Sequence, residues 1–172
     1  FTGNTATISG GAIYNNQSPT TITIGNTSFS NNTAGNYGGA IYNQSCSLAI
    51  TDSEFTNNKA NTQNGGAIYV YADTGINRTA TIEDSTFEDN TAAQSGGAIG
   101  FRNVNSTITN STFTNNEGPN GGAVYSYLAS SDISDSTFTD NKATWGGAVY
   151  NVGTVGTVEN STFTGNTATE QG

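Results

Sequence analysis

Tyrosines, carboxylates and asparagines are the side chains through which this chain could do chemistry, and each recurs at a regular spacing. Tyr14, Tyr42, Tyr69, Tyr125 and Tyr150 each stand four residues after the first glycine of a Gly-Gly pair, with Tyr71 and Tyr127 two residues further on. A strip of rings suits stacking against a sugar or a protein partner. It suits equally well a structural ladder packed on its own neighbours, and regular ladder geometry favours that role. Glu83, Asp84, Glu88 and Asp89 gather across one corner, and Asp135 and Asp140 take matching places later in the chain. Stacked carboxylates suit Ca²⁺, which takes six to eight oxygen ligands. Neither an EF-hand loop nor a nonapeptide calcium motif is present, so a solvated acidic face is expected, with no metal and no other cofactor. Asn-x-Ser/Thr sequons begin at Asn16, Asn26, Asn31, Asn43, Asn77, Asn105, Asn110 and Asn160. They would accept N-glycans on a secreted chain, although a sequence this rich in Asn, Ser and Thr produces many by chance.

Catalysis has little to draw on. There is no His, and the one cysteine, Cys46, has no intrachain disulfide partner. Asp84 and Asp89 offer a carboxylate pair of the kind that hydrolyses glycosides, but nearly any acidic corner would do so. Arg78 and Arg102 lie in different repeats, so no paired cations stand ready to hold a uronate at a reacting centre. No constellation of nucleophile, base and oxyanion donors is recognisable, and the expectation is that the chain is not an enzyme.

Net charge excludes other classes. The formal charge is −9, and Lys59, Arg78, Arg102 and Lys142 are the only cations among 172 residues. Nucleic acid and anionic membrane surfaces require clustered cations, so neither is an expected partner. No apolar run approaches the ~20 residues of a spanning helix, so direct membrane insertion is not expected. The sequence lacks Met and a signal peptide, as a processed product or a piece of a longer polypeptide would.

The elements that position these side chains come from a repeat. Gly-Gly-Ala-[Ile/Val] begins at Gly10, Gly38, Gly65, Gly96, Gly121 and Gly146. Phe-x-x-Asn begins at Phe1, Phe29, Phe55, Phe87, Phe113, Phe138 and Phe163, the heptapeptide FTGNTAT at 1–7 recurring at 163–169. Ile24, Ile50, Ile82, Ile108, Ile133 and Val158 each precede a Phe by five residues. The segments between glycines and turn residues are short and rich in β-branched and aromatic residues, which favours strands. Gly, Asn, Thr and Ser make poor helix interiors. One repeat per coil of a β-solenoid follows, with equivalent residues stacked about 4.8 Å apart.

On that geometry the seven Phe residues form a core aromatic ladder. Asn4, Asn32, Asn58, Asn90, Asn116, Asn141 and Asn166 form an amide ladder in which each side chain donates and accepts. The Asp or Asn at 26, 52, 84, 110, 135 and 160 suits a corner that needs φ > 0, and the double glycine lets the chain bend or pack closely before a strand. Regularity breaks in two places. The stretch VYADTGINRTAT, residues 70–81, inserts five residues relative to the shortest coil and carries Asp73, Asn77 and Arg78, a candidate binding loop. Gly100 replaces the tyrosine of the other five copies.

The paired signatures, as at Gly38–Ile41 and Phe55–Asn58, resemble the polymorphic outer-membrane protein repeat of chlamydial autotransporters. They are similar also to the adhesin-like surface proteins of methanogenic archaea. The resemblance covers essentially the whole chain. It implies a right-handed parallel β-helix, secretion to the cell surface, and a structural or adhesive role, with no catalytic residues to carry over.

The expected fold is therefore all-β: a right-handed parallel β-helix of about six to seven coils of 25–32 residues, spanning residues 1–172 without capping repeats. Open solenoid ends would pair with adjoining repeats or with another copy. The expected function is an extracellular rod that displays loops to surface glycans or proteins of a host or neighbouring cell. A self-assembling fibre subunit is the alternative, and an enzyme acting on acidic polysaccharides a distant third.

Overall fold

Short strands separated by residues that tolerate φ > 0 leave the chain one way to satisfy its backbone: wind, and pair each strand with its equivalent one coil on. A computed structural model, which describes residues 1–16, 20–153 and 156–172, shows this arrangement. All the strand pairing is parallel, and the described residues contain no helix. About six turns stack, and each contributes strands to the same set of faces.

The first face is the tyrosine sheet, with strands Ile13–Asn16, Ile41–Gln44, Ile68–Tyr71, Ile99–Arg102, Val124–Tyr127 and Val149–Val152. A second sheet carries the Ile/Val series and runs from Thr21–Gly25 to Val158–Glu159. A third carries phenylalanine, from Ser28–Ser30 to Thr162–Thr164. The fourth face is short, with two-residue strands such as Thr33–Ala34 and Lys59–Ala60. It is interrupted near Pro119, where the coil loses a residue, and it resumes as Lys142–Trp145 paired with Thr167–Gln171.

Register places like on like. Ile24, Ile50, Ile82, Ile108, Ile133 and Val158 are successive partners, as are the phenylalanines from Phe29 to Phe163. Adjacent rings of all seven phenylalanines stack with centroids 4.7–4.9 Å apart and planes within 4°. The spacing of parallel strands is itself the stacking distance of aromatic rings, so one geometry serves both. Burial of each inner ring contributes about 2–3 kcal/mol.

The amide ladder is more fully used than two hydrogen bonds per rung. Asn58 Nδ2 donates to Asn90 Oδ1 at 3.0 Å and to the Phe29 carbonyl at 2.9 Å, while the Asn58 backbone N–H donates to the same Oδ1 at 3.0 Å. Asn32, Asn90, Asn116 and Asn141 repeat the pattern, and with Asn58 all are fully buried. Every amide proton and both lone pairs are engaged, the condition for burying a polar group without penalty. Asn4 and Asn166 continue the ladder as half-buried end rungs.

Both uses of the double glycine occur, one per residue. The first glycine of each pair takes φ between +60° and +72°. The second lies where a Cβ would overlap the backbone of the next coil, as Gly66 does against the Gly97 carbonyl. Asn26, Asp52, Asp84, Asn110, Asp135 and Asn160 all have φ of +47° to +51°.

Candidate functional site

The tyrosine sheet presents its side chains alternately. Ile68 and Val70 point into the core, and Tyr69 and Tyr71 point outward. Register aligns Tyr14, Tyr42, Tyr69, Gly100, Tyr125 and Tyr150 in one row. A second row holds Gln44, Tyr71, Arg102 and Tyr127. The first row is stacked only in part. Tyr14 lies 5.1 Å from Tyr42 and Tyr125 lies 6.0 Å from Tyr150, whereas the gap at Gly100 divides the row.

At that gap Tyr69 is drawn in. A Cβ on Gly100 would stand 2.8 Å from Tyr69 Cδ2, so the ring occupies the space a side chain there would take. Tyr37 stacks on that ring at 4.9 Å, and Tyr69, although it projects from the outer side of the sheet, is only 4% exposed. Burial pushes the Tyr69 hydroxyl up to about 12, offset in part by the Asn64 amide and the Arg102 guanidinium beside it. Burial, with the neighbouring tyrosines, also raises Tyr42 and Tyr125. Tyr71 is raised chiefly because its hydroxyl donates to Asp73 Oδ1, at 2.6 Å.

Arg102 lies between rings. Its guanidinium carbon is 5.7 Å from the Tyr71 centroid and 5.6 Å from that of Tyr127, both within cation–π range. With Asn64, Tyr69, Tyr125 and Tyr127 it lines a cavity of about 170 Å³. Asn64 Oδ1 is buried there without a hydrogen-bond partner.

The inserted segment borders this region. Strands end at Tyr71 and resume at Thr79, so the connection is residues 72–78, of which 73–78 project; Val70, Ala72 and Ala80, within the span 70–81 expected from sequence, are core residues. Asp73 Oδ2 accepts from Ser45 Oγ at 3.1 Å, and Arg78 Nε donates to the Ser45 carbonyl at 2.8 Å. Both residues therefore brace the loop on the preceding coil, and Asn77 is left exposed between them.

Asn43 must be corrected as a glycan acceptor. It is fully buried, its Nδ2 donating to the Cys46 carbonyl at 2.8 Å and its Oδ1 accepting from Asn15 Nδ2 at 2.6 Å. An oligosaccharide on that nitrogen is incompatible with the coil. Asn16, Asn26, Asn31, Asn77, Asn105, Asn110 and Asn160 are exposed, although Gln17 and Ser18 of the first sequon lie outside the described residues.

The acidic residues do not share one corner. Glu83 and Asp84 precede strand Thr86–Glu88 and Asp89 follows it, so the two corners stand about 10 Å apart. Among the described residues no three His, Cys, Asp or Glu side chains converge on a possible metal position.

Several features went unread in the sequence. Phe101 fills the core at an inward position that is Asn43, Val70 or Ser126 in neighbouring coils. Asn31, Asn57, Asp89, Asn115 and Asp140 form a second left-handed corner, φ +54° to +56°, each two residues after a Phe. Ser53, Ser85, Ser111 and Ser136 form a buried hydroxyl ladder, as when Ser53 N–H donates to Ser85 Oγ at 3.1 Å. The signal for both lay in the repeat, where those columns hold only Asn, Asp or Gly, and Ser or Thr.

A family model described as right handed beta helix region matches residues 9–170. The Chlamydia polymorphic membrane protein repeat matches residues 1–16, in agreement with the paired GGA[IV] and FxxN signatures along the chain. A comparison with curated proteins found no match, and neither did one with solved structures. Ladder, register and family description agree, and the chain belongs to the right handed beta helix region family.

Proposed function

We propose that this chain is a non-catalytic surface module: a stiff extracellular rod whose tyrosine face and adjoining loop make adhesive contacts. The observation that carries the reading is where regularity fails. Phe, Asn, Ser and Ile/Val ladders run through the coils, whereas the seven-residue loop 72–78, the gap at Gly100 and the ring-held Arg102 all fall on or beside the tyrosine sheet in adjacent coils. Functional positions break local rules that structural positions keep, and loops carry recognition on rigid scaffolds. Repeats of the polymorphic membrane protein type support a place at the cell surface. Beads coated with the chain are expected to adhere to cell monolayers or immobilised polysaccharides, and to leave those polysaccharides uncleaved. Failure to adhere to any such surface overturns the adhesive role, and cleavage overturns the non-catalytic one.

A second reading has its own observation. Phe1 is 57% exposed and Phe163 43%, each stacked on one side only, so an outer rung at either end accepts a further coil. In this second reading, which we propose as the alternative, another copy supplies that coil and the chain is a fibre subunit. Electron microscopy across a concentration series tests it: filaments of constant width indicate pairing between copies, and single particles at all concentrations count against it.

A further inference from the structure

We infer that the cavity beside the gap at Gly100, lined by Asn64, Tyr69, Arg102, Tyr125 and Tyr127, is a binding subsite for one carboxylate-bearing sugar ring. The proposal rests on reading the tyrosine face as a recognition surface, and adds where on it and what is bound.

The first argument is the guanidinium. Arg102 makes no ion pair among the described residues, yet it is held between the Tyr71 and Tyr127 rings at 5.7 and 5.6 Å. The two rings bias its orientation before any ligand arrives, and a planar fork placed in this way matches a carboxylate bidentately. Asp73, which is close enough to Tyr71 to hydrogen-bond it, is itself occupied by Tyr71 and Ser45. In a chain with a formal charge of −9 and four cations, one unpaired cation on the aromatic face is a place of selectivity for an anion rather than part of a general attraction.

The second argument is the unsatisfied acceptor. Asn64 lines the same cavity, and its Oδ1 is buried without a partner. A buried acceptor costs stability unless something donates to it, and a sugar hydroxyl supplies that donor once the Asn64 amide turns toward the cavity. Elsewhere in this fold buried amides are satisfied rung by rung, so the exception at Asn64 stands out from its own ladder-built surroundings.

The third is shape. The cavity of about 170 Å³ has the size of a single pyranose, with Tyr125 and Tyr127 rings on one side, 6.4 Å apart and nearly parallel. Apolar C–H faces of a sugar stack on such rings. Cation, acceptor and aromatic wall thus supply the three kinds of contact that an acidic sugar presents. A uronic acid within a polysaccharide and a terminal nine-carbon acid such as sialic acid share this chemistry.

Calorimetric titration of the chain with trigalacturonate, with a sialylated trisaccharide and with an uncharged trisaccharide tests the subsite. At least one acidic ligand is expected to bind, identifying the source, with the uncharged one at least tenfold weaker. Arg102→Gln is expected to weaken acidic binding roughly tenfold to a hundredfold by removing a charge-assisted contact. Gly100→Tyr, which restores the residue of the other coils, is expected to block the cavity. Lys59→Gln, which removes an exposed cation on the fourth face, is expected to leave affinity unchanged, and thermal unfolding establishes that each variant folds. Equal binding of acidic and uncharged ligands, equal binding by wild type and Arg102→Gln, or no binding of either acidic ligand overturns the proposal. If coated beads adhere while no acidic ligand binds, the subsite falls and the adhesive rod stands. If acidic ligands bind through Arg102 but beads adhere to nothing, the rod's adhesive role falls and the subsite stands.

Discussion

Asn90 shows what one residue does in this fold. Its amide donates to Asn116 Oδ1 and to the Phe55 carbonyl, and its Oδ1 accepts from both nitrogens of Asn58. Replacing it with alanine removes four buried hydrogen bonds, each worth about 0.5–1.5 kcal/mol, and leaves the Asn58 backbone N–H without its side-chain acceptor. Asn90→Ala is therefore expected to cost about 3–5 kcal/mol in urea unfolding. Asn166, on an end rung that is only half-buried, should cost far less. Tyr69 gives a second residue-scale prediction. The unfolded chain ionises this hydroxyl near 10.0 and the folded chain near 12. Below pH 10 both states hold the proton and the contribution is intact. As pH rises from about 10 to 12 the unfolded state alone releases the proton, so about 2–3 kcal/mol of stability is lost. Tyr69→Phe is expected to flatten the fall in thermal stability over that window, and its phenolate absorbance to show one fewer late-ionising tyrosine than wild type, in which Tyr42, Tyr71 and Tyr125 are raised as well.

Between coils the limiting element is the second glycine of each pair. Gly66 has no positive φ, so its requirement is space alone, set by the approach of the Gly97 carbonyl. Gly66→Ala forces two coils apart along the whole tyrosine strand and is expected to cost roughly 3 kcal/mol, the upper range for overpacking. At Gly75 a Cβ meets nothing, but φ is +86°. Gly75→Ala should cost about 1 kcal/mol through backbone strain alone. The loop containing Gly75 is separable from the strands it joins. In the next coil Asn103 and Val104 suffice to connect Arg102 to Asn105. Replacing residues 72–78 by Asn-Val is expected to leave the unfolding temperature within a few degrees while reducing bead adhesion if the loop makes contacts. Unchanged adhesion would assign those contacts to the tyrosine face alone.

For the whole molecule, stability is a sum over nearest-neighbour coils. An inner rung loses contacts on two sides and an end rung on one. Phe87→Ala is expected to cost about 3–5 kcal/mol, and Phe163→Ala, already 43% exposed, less than half as much. Equal costs, measured by denaturant unfolding, would mean that the array unfolds as one cooperative block without end effects. The same one-dimensional logic explains stiffness: each coil is held by three main sheets and by buried ladders of Phe and Asn, so bending requires several sets of contacts to open together.

The repeat of GGA[IV] and FxxN, read alone, determines strands, coil period, parallel pairing and the identity of the Phe, Ile/Val and Asn ladders. In a solenoid, sequence equivalence is spatial adjacency, so a column of like residues is already a list of contacts. Tertiary structure decides whatever depends on the side of the strand, or on what a neighbour leaves empty. Asn43 reads as an accessible sequon until strand alternation turns it inward. Asp84 and Asp89 read as one acidic corner until a three-residue strand separates them. Gly100 reads as a weakened rung, yet its missing side chain draws Tyr69 inward and shapes the cavity beside it. An absent side chain acts only through the groups that move into its space, and those come from the coils before and after it.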